Sequence, residues 1–282
     1  QSRWANVMGQ WSESPATVSD GSDADERNRQ IFEERVNMVI EAWTQETVRV
    51  KGEFYEAPYP YETGVEGYPA WEIARDAGAE GEIGPDGSVQ RVCVVPKPYQ
   101  QPHPPVFVAA SKSQASIDYC ARNGFIPTYF MPDKGVIEMT QYYQKVANEN
   151  GFNVQLGQKQ NLVRWPHVTS TSEDFDRKLR EYDLDIYKNF YGPFFPQFPQ
   201  GNDSELVQSM KDSQLFIGGT VDECVAGWKK IFDQAPCEYV TLIWHWAQQP
   251  KEDMMEELRL FMDEILPELE IPDFEDVSAA AE

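Results

Sequence analysis

The sequence predicts an α/β fold built on a parallel sheet. Three observations predict it: short apolar runs bounded by turn residues, amphipathic stripes of helical period that follow them, and a polar junction within Pro104–Gly124 where one run passes into a capped helix. In chain order, Phe32, Val36, Val39, Ile40 and Trp43 recur at i, i+4, i+7, i+8 and i+11, the spacing of an amphipathic helix. The stretch from Gly52 to Val95 is rich in glycine and acids and reads as an inserted excursion, either a lid or a plain surface loop. Val106–Ala110 is an apolar run of the kind found in a fully buried parallel strand. Further strands are predicted at Ile126–Phe130, Leu162–Val168 and Tyr239–Trp246. Between and after them, Met139/Tyr142/Tyr143/Val146, Phe175/Leu179/Tyr182/Ile186, Val221/Val225/Trp228/Phe232 and Met254/Leu258/Phe261/Met262/Ile265 mark helices. One crossover is long, carrying the Phe175–Phe190 helix and the proline- and aromatic-rich Gly192–Gly201 before the Val221–Phe232 helix.

The junction at Pro104–Gly124 carries the most chemistry. Ser111, Lys112 and Ser113 offer hydroxyls, a cation and backbone amides where a helix begins, with Ser113 as N-cap and Gly124 as the left-handed C′ residue. Hydroxyls in such a place serve as caps, and the same place suits a phosphate, since the first helical N–H groups point outward toward an anion. Thr220-Val221-Asp222-Glu223 has the spacing of a capping box, and paired acids such as Glu33-Glu34 read as solvated helix faces.

Composition narrows the partners. The 282 residues are 41% hydrophobic, enough for one large core or two small ones. A formal net charge of −23 opposes nucleic acid and anionic membrane surfaces and favours solubility, including at high salt. No run approaches a membrane span, and the start QSRWANVMGQW lacks the basic flank and apolar core of a signal peptide. Cys93, Cys120, Cys224 and Cys237 have no CxxC spacing, which predicts a reduced, cytoplasmic chain without disulfides. His103, His167 and His245 form no HxH or HExxH pattern, so no metal site is predicted, and neither a GxSxG elbow nor a GK[ST] phosphate loop is present.

Three separated blocks carry a family resemblance. Lys97–Pro105 leading into VFVAASKSQASIDYCARNG resembles the fifth strand and following loop of the luciferase-like flavin-dependent monooxygenases, a (β/α)8 TIM-barrel family. Arg29–Thr44 with Val50-Lys51-Gly52-Glu53-Phe54-Tyr55 is similar to the helix and hairpin ahead of that strand, and Phe216–Val225 is similar to the family's approach to its late helix. The resemblance implies an incomplete barrel, the first three strands being absent and Arg3–Gly9 standing near the end of the fourth. It implies a single truncated domain over 1–267, an inserted acidic loop around 56–90, and a disordered tail over 268–282. It further implies an enzyme that uses reduced FMN and O2, with a flavin reductase as electron donor, to oxidise a small organic substrate, as a homo- or heterodimer. The FMN phosphate is then expected at Ala110, Ser111, Lys112, Ser113 and Gln114. Alternatives are a deazaflavin (F420) relative, or a non-catalytic subunit or fragment that pairs with an active partner. The resemblance supplies no catalytic residue. His167, at the end of a predicted strand, and His245, between two tryptophans, are the candidates left, each with core packing as its other reading.

Overall fold

The structure, a computed structural model, describes residues 21–110, 113–194, 199–245 and 248–274. The segments expected to hold the fourth strand end, Arg3–Gly9, and most of the tail lie outside the described residues. The chain forms two compact units, Gln1–Pro105 and Val106–Glu282.

In the first unit, α1 spans Asp23–Thr44 and starts where Ser22 accepts a hydrogen bond from the Asp25 amide at 3.3 Å, with Asp23, Asp25 and Glu26 in its first turn. The expected apolar stripe is not what packs: Phe32 and Val39 stay exposed, while Ile31 is buried. The reason lies in the contact α1 makes with the hairpin of β1 (Val50–Lys51) and β2 (Glu56–Ala57), which is polar and cation–π rather than aliphatic. Arg27 lies over Phe54 and Arg35 over Tyr55, and the Glu34 carboxylate accepts the amides of Glu53, Phe54 and Tyr55 at 2.8–3.0 Å. Glu34 therefore corrects its reading as a solvated acid. A Cβ on Gly52 would sit 2.2 Å from that carboxylate, so the turn needs glycine for close approach. Glu34→Ala is expected to cost about 1–3 kcal/mol by leaving these amides unpaired, read as loss of protection in amide hydrogen exchange at 53–55. The excursion that follows is not formless. It carries α2 (Trp71–Ala77) and isolated bridges Val48↔Val92, Val65↔Val89 and Ile83↔Val89.

The second unit holds the parallel sheet. Its strands are β3 (Phe107–Ala110), β4 (Ile126–Tyr129), β5 (Asn161–Val168), β6 (Phe216–Gly219) and β7 (Tyr239–Leu242), and every pairing among them is parallel. The helices are α3 (Gln114–Asn123), α4 (Asp133–Glu149), α5 (Ser172–Lys178), α6 (Asp203–Asp212), α7 (Val221–Phe232) and α8 (Lys251–Leu260). Gly124 closes α3 at φ 65°, and the Thr220–Glu223 capping box forms as read, joined by an unforeseen one at Asn202 and Glu205. The first half of β5 is flanked by β4 (Thr128↔Asn161) and β7 (Asn161↔Tyr239), and its second half pairs with β6 (His167↔Gly218). β6 was not expected as a strand, and β7 ends at Leu242 rather than at Trp246, which is outside the described residues.

The sheet is strongly curved. β3 and β7 are three strand spacings apart, about 14 Å in a flat sheet, yet the Phe107 and Tyr239 rings meet edge to face at 5.2 Å. Their side chains lie on the concave face, together with Thr128, Asn161, Val163, Trp165 and His167, by register. This is the curvature of a barrel wall, without closure among the described residues. β3 is correspondingly not a strand buried on both faces: Phe107 is 48% exposed on the concave side while Val108 is 5% exposed on the other.

Candidate functional site

The carboxyl ends of β3 and β5 lie at one edge of the sheet, because the strands are parallel, and the residues singled out from the sequence fall at that edge in two groups. The first group is the β3–α3 junction. Ala110 ends β3 and is buried; Ser111 and Lys112 lie outside the described residues; Ser113 and Gln114 are exposed. Ser113 takes the N-cap position with extended backbone (φ −87°, ψ 113°), but its hydroxyl makes no capping hydrogen bond. The expected cap is thus right in place and wrong in bonding, since it is the Ser113 carbonyl that turns the chain, accepting from Ser116 N at 3.0 Å and Ile117 N at 3.4 Å. α3 has no acid in its first turn, whereas the other seven helices named above each carry at least one.

The second group gathers around the end of β5. His167 and His245, separate candidates in the sequence, are joined by Asp183: His167 Nε2 lies 2.7 Å from Asp183 Oδ2 and His245 Nδ1 lies 2.6 Å from Asp183 Oδ1. On its other side, His167 Nδ1 meets Glu257 Oε2 at 3.0 Å. Glu257 also accepts from Lys178 Nζ at 2.5 Å, Gln249 Nε2 at 2.7 Å and Trp244 Nε1 at 3.0 Å, and His245 Nε2 accepts the Trp165 indole N–H at 3.2 Å. His167, Asp183 and Glu257 are each 1% exposed. Burial disfavours ionising any of them, and hydrogen bonding overrides burial in each case. Bonds to Asp183 and Glu257 lift His167 to about 9, while His167 and His245 hold Asp183, and His167 and Lys178 hold Glu257, below the usual carboxylate range.

Backbone geometry places these groups. The helical run that begins with α5 widens into a π turn at Leu179–Asp183, returns to α at Leu184–Ile186, and widens again at Tyr187–Tyr191. The first π turn ends on Asp183 and the second on Tyr191, whose ring sits 6.1 Å from His245 and 6.0 Å from Trp165. Phe130 and Phe216 pack on Trp165 at 4.8 and 5.3 Å, so the histidine cluster borders an aromatic wall. Asp183, Glu257 and Lys178 were not foreseen. The signal was present: each lies on an apolar stripe, Lys178 and Asp183 among Phe175, Leu179 and Ile186, and Glu257 between Met254 and Phe261.

No protein-family model matches the sequence, and no curated protein matches it either. Solved structures do match by shape. The monooxygenase RslO1 from Streptomyces bottropensis aligns with a TM-score of 0.62 at 20% identity, over 87% of this chain and 62% of that one. The oxygenating constituent of 3,6-diketocamphane monooxygenase, a type II Baeyer–Villiger monooxygenase from the CAM plasmid of Pseudomonas putida in complex with FMN, aligns with a TM-score of 0.63 at 15% identity, over 96% of this chain and 69% of that one. This is the luciferase-like fold. An F420-dependent secondary alcohol dehydrogenase in complex with an F420–acetone adduct also matches, with a TM-score of 0.50 at 10% identity, over 86% of this chain and 63% of that one. The luciferase-like chain therefore spans about two thirds of the length of these neighbours, and its sheet is the wall of an unclosed barrel, as the resemblance implied. Among its described residues no helix is long and apolar enough to cross a membrane, and no group of His, Cys, Asp and Glu is arranged to hold a metal ion. The four cysteines are free thiols.

Proposed function

We propose that this chain is a flavin-dependent oxidoreductase of the luciferase-like class, with residues 1–267 reading as one truncated barrel domain, and that Ala110, Ser111, Lys112, Ser113 and Gln114 hold the FMN phosphate. The observation that carries the proposal is the start of α3: in a chain of net charge −23 it is a helix N-terminus without first-turn acids, its N-cap hydroxyl is uncommitted, and it stands at the carboxyl edge of a parallel sheet. Those features suit a dianion, which would gain the helix amides and one or two hydroxyl donors.

Bound reduced FMN would supply the electrons with which O2 is used against a small organic substrate. The chain's own residues would hold the phosphate, exclude water with the wall of Phe130, Trp165 and Tyr191, and hold protons at His167 and His245 through Asp183. A flavin reductase as donor, a homo- or heterodimeric assembly and a cytoplasmic location belong to the same proposal, and F420 is the alternative cofactor. The second reading, a non-catalytic subunit or fragment that pairs with an active partner, draws on the open concave face at Phe107.

Titration of flavin fluorescence with FMN and reduced FMN tests the phosphate site. The Ser111→Ala/Ser113→Ala double variant is expected to bind at least about tenfold more weakly, the loss of one charge-assisted hydrogen bond or more. Equal affinity, with an unchanged circular dichroism spectrum, would remove the site. Wild-type binding of FMN without substrate oxidation in the presence of a reductase would favour the non-catalytic reading.

A further inference from the structure

The cluster at the end of β5 has a property that the flavin reading does not need. Both ring nitrogens of His167 face carboxylates, Asp183 at 2.7 Å and Glu257 at 3.0 Å. A neutral imidazole has one N–H and cannot donate to both, so the geometry requires the imidazolium. His245 differs. Its Nε2 accepts from Trp165, so its single N–H is at Nδ1, toward Asp183, and the ring is neutral. The ledger of buried charge then closes, with Lys178 and His167 positive and Asp183 and Glu257 negative. The four groups come from separate pieces of chain: α5, the end of β5, the first π turn and α8.

We infer that this cluster is a proton-held clasp: protonated His167 ties the π-turn segment and α8 to the end of β5, and loss of that proton releases them. Deprotonation leaves one imidazole N–H between two buried carboxylates that only Lys178 then balances, a net buried negative charge. The remaining neighbours do not replace the proton. Trp244 and Gln249 already donate to Glu257, Trp165 already donates to His245, and on α7 the Cys224 thiol, pushed up to about 12 by burial, points at the His167 and Gly219 carbonyls.

The direction with pH follows from the lifted His167. A group whose pKa rises on folding, here from 6.5 to about 9, stabilises fully below the lower value and loses that contribution as pH climbs through the upper one. The clasp is therefore closed near pH 6 and releases around pH 9, and its opening equilibrium increases on the order of a hundredfold between pH 7 and pH 10. Asp183 and Glu257, both lowered, release it again only in acid.

Indole N–H exchange followed by NMR in the whole chain, corrected for intrinsic base catalysis, reads the opening at Trp165 and Trp244. The Trp228 indole, buried on α7 away from the cluster, is the control. Protection of Trp165 and Trp244 is expected to fall by about two orders of magnitude from pH 7 to pH 10 while Trp228 stays protected, and His167→Gln is expected to flatten that dependence. Should the variant fail to fold, the ring C–H titration of the wild type decides, since the chain has three histidines. A His167 ring that titrates below pH 7, protection that is flat in the wild type, or loss of Trp228 protection in step with the others would overturn the clasp.

Discussion

Replacement of Asp183 by alanine is expected to lower the unfolding free energy by roughly 3–5 kcal/mol, the cost of leaving a buried charge without its partner. Asp183 accepts from His167 and His245 through separate oxygens, so its loss strips the imidazolium of one carboxylate and the neutral imidazole of its acceptor together. The side chain also leaves a void under the first π turn, in a cluster that includes Leu179, Leu184 and Tyr187. Urea unfolding curves followed by tryptophan fluorescence measure the change, with Trp165 directly attached to the affected histidine. Asp183→Asn keeps the shape and one acceptor oxygen and should lose less. A shift below about 1 kcal/mol in the alanine variant, the size of a single neutral hydrogen bond, would mean that the cluster does not hold this part of the chain.

Gly157→Ala is expected to cost about 3 kcal/mol or more, for reasons of backbone alone. Gly157 has φ 83°, and a Cβ there would lie 1.9 Å from the Pro236 carbonyl oxygen, a distance no rotamer can relieve. The Gly157 carbonyl accepts the Glu238 amide at 2.9 Å and the Gln160 carbonyl accepts that of Tyr239 at 3.0 Å, so this turn sets the register in which β7 begins against β5. Displacing Pro236 would move that start. Thermal unfolding should show a midpoint lower by on the order of 10 °C, given the usual few degrees per kcal/mol for a chain of this size. An unchanged midpoint would show that the Pro236 segment moves aside without loss.

How much of this was legible in the sequence differs by element. The strands at 106–110, 126–130 and 162–168 and the helix behind Ser113 announce themselves by apolar runs and caps, which are local signals, and the structure puts them within one residue of those bounds. β6 was missed because Phe216–Gly219 ends in two glycines, and glycine in a strand carries no pattern. The Phe175–Phe190 helix was read as regular, since a periodicity search at 3.6 cannot register turns of wider pitch. The candidate site was half visible. Two histidines near strand ends stood out by position, but the carboxylates that join them come from residues 16 and 90 positions away from His167, a proximity only tertiary packing creates. Acids on otherwise apolar stripes, as at Asp183 and Glu257, were the available sign.

The two wide turns in the run after α5 also limit how this segment can change in length. Each holds its backbone bonds one residue further apart than an ordinary helix does, so removing a single residue from 179–183 or from 187–191 would let the run tighten into plain α-helix. Everything beyond the deletion would then rotate by about 100°. A shortening before Asp183 would swing its carboxylate away from both rings, and one before Tyr191 would carry the phenol off the Trp165 indole, so this stretch tolerates exchanges of side chain far better than the loss of a position.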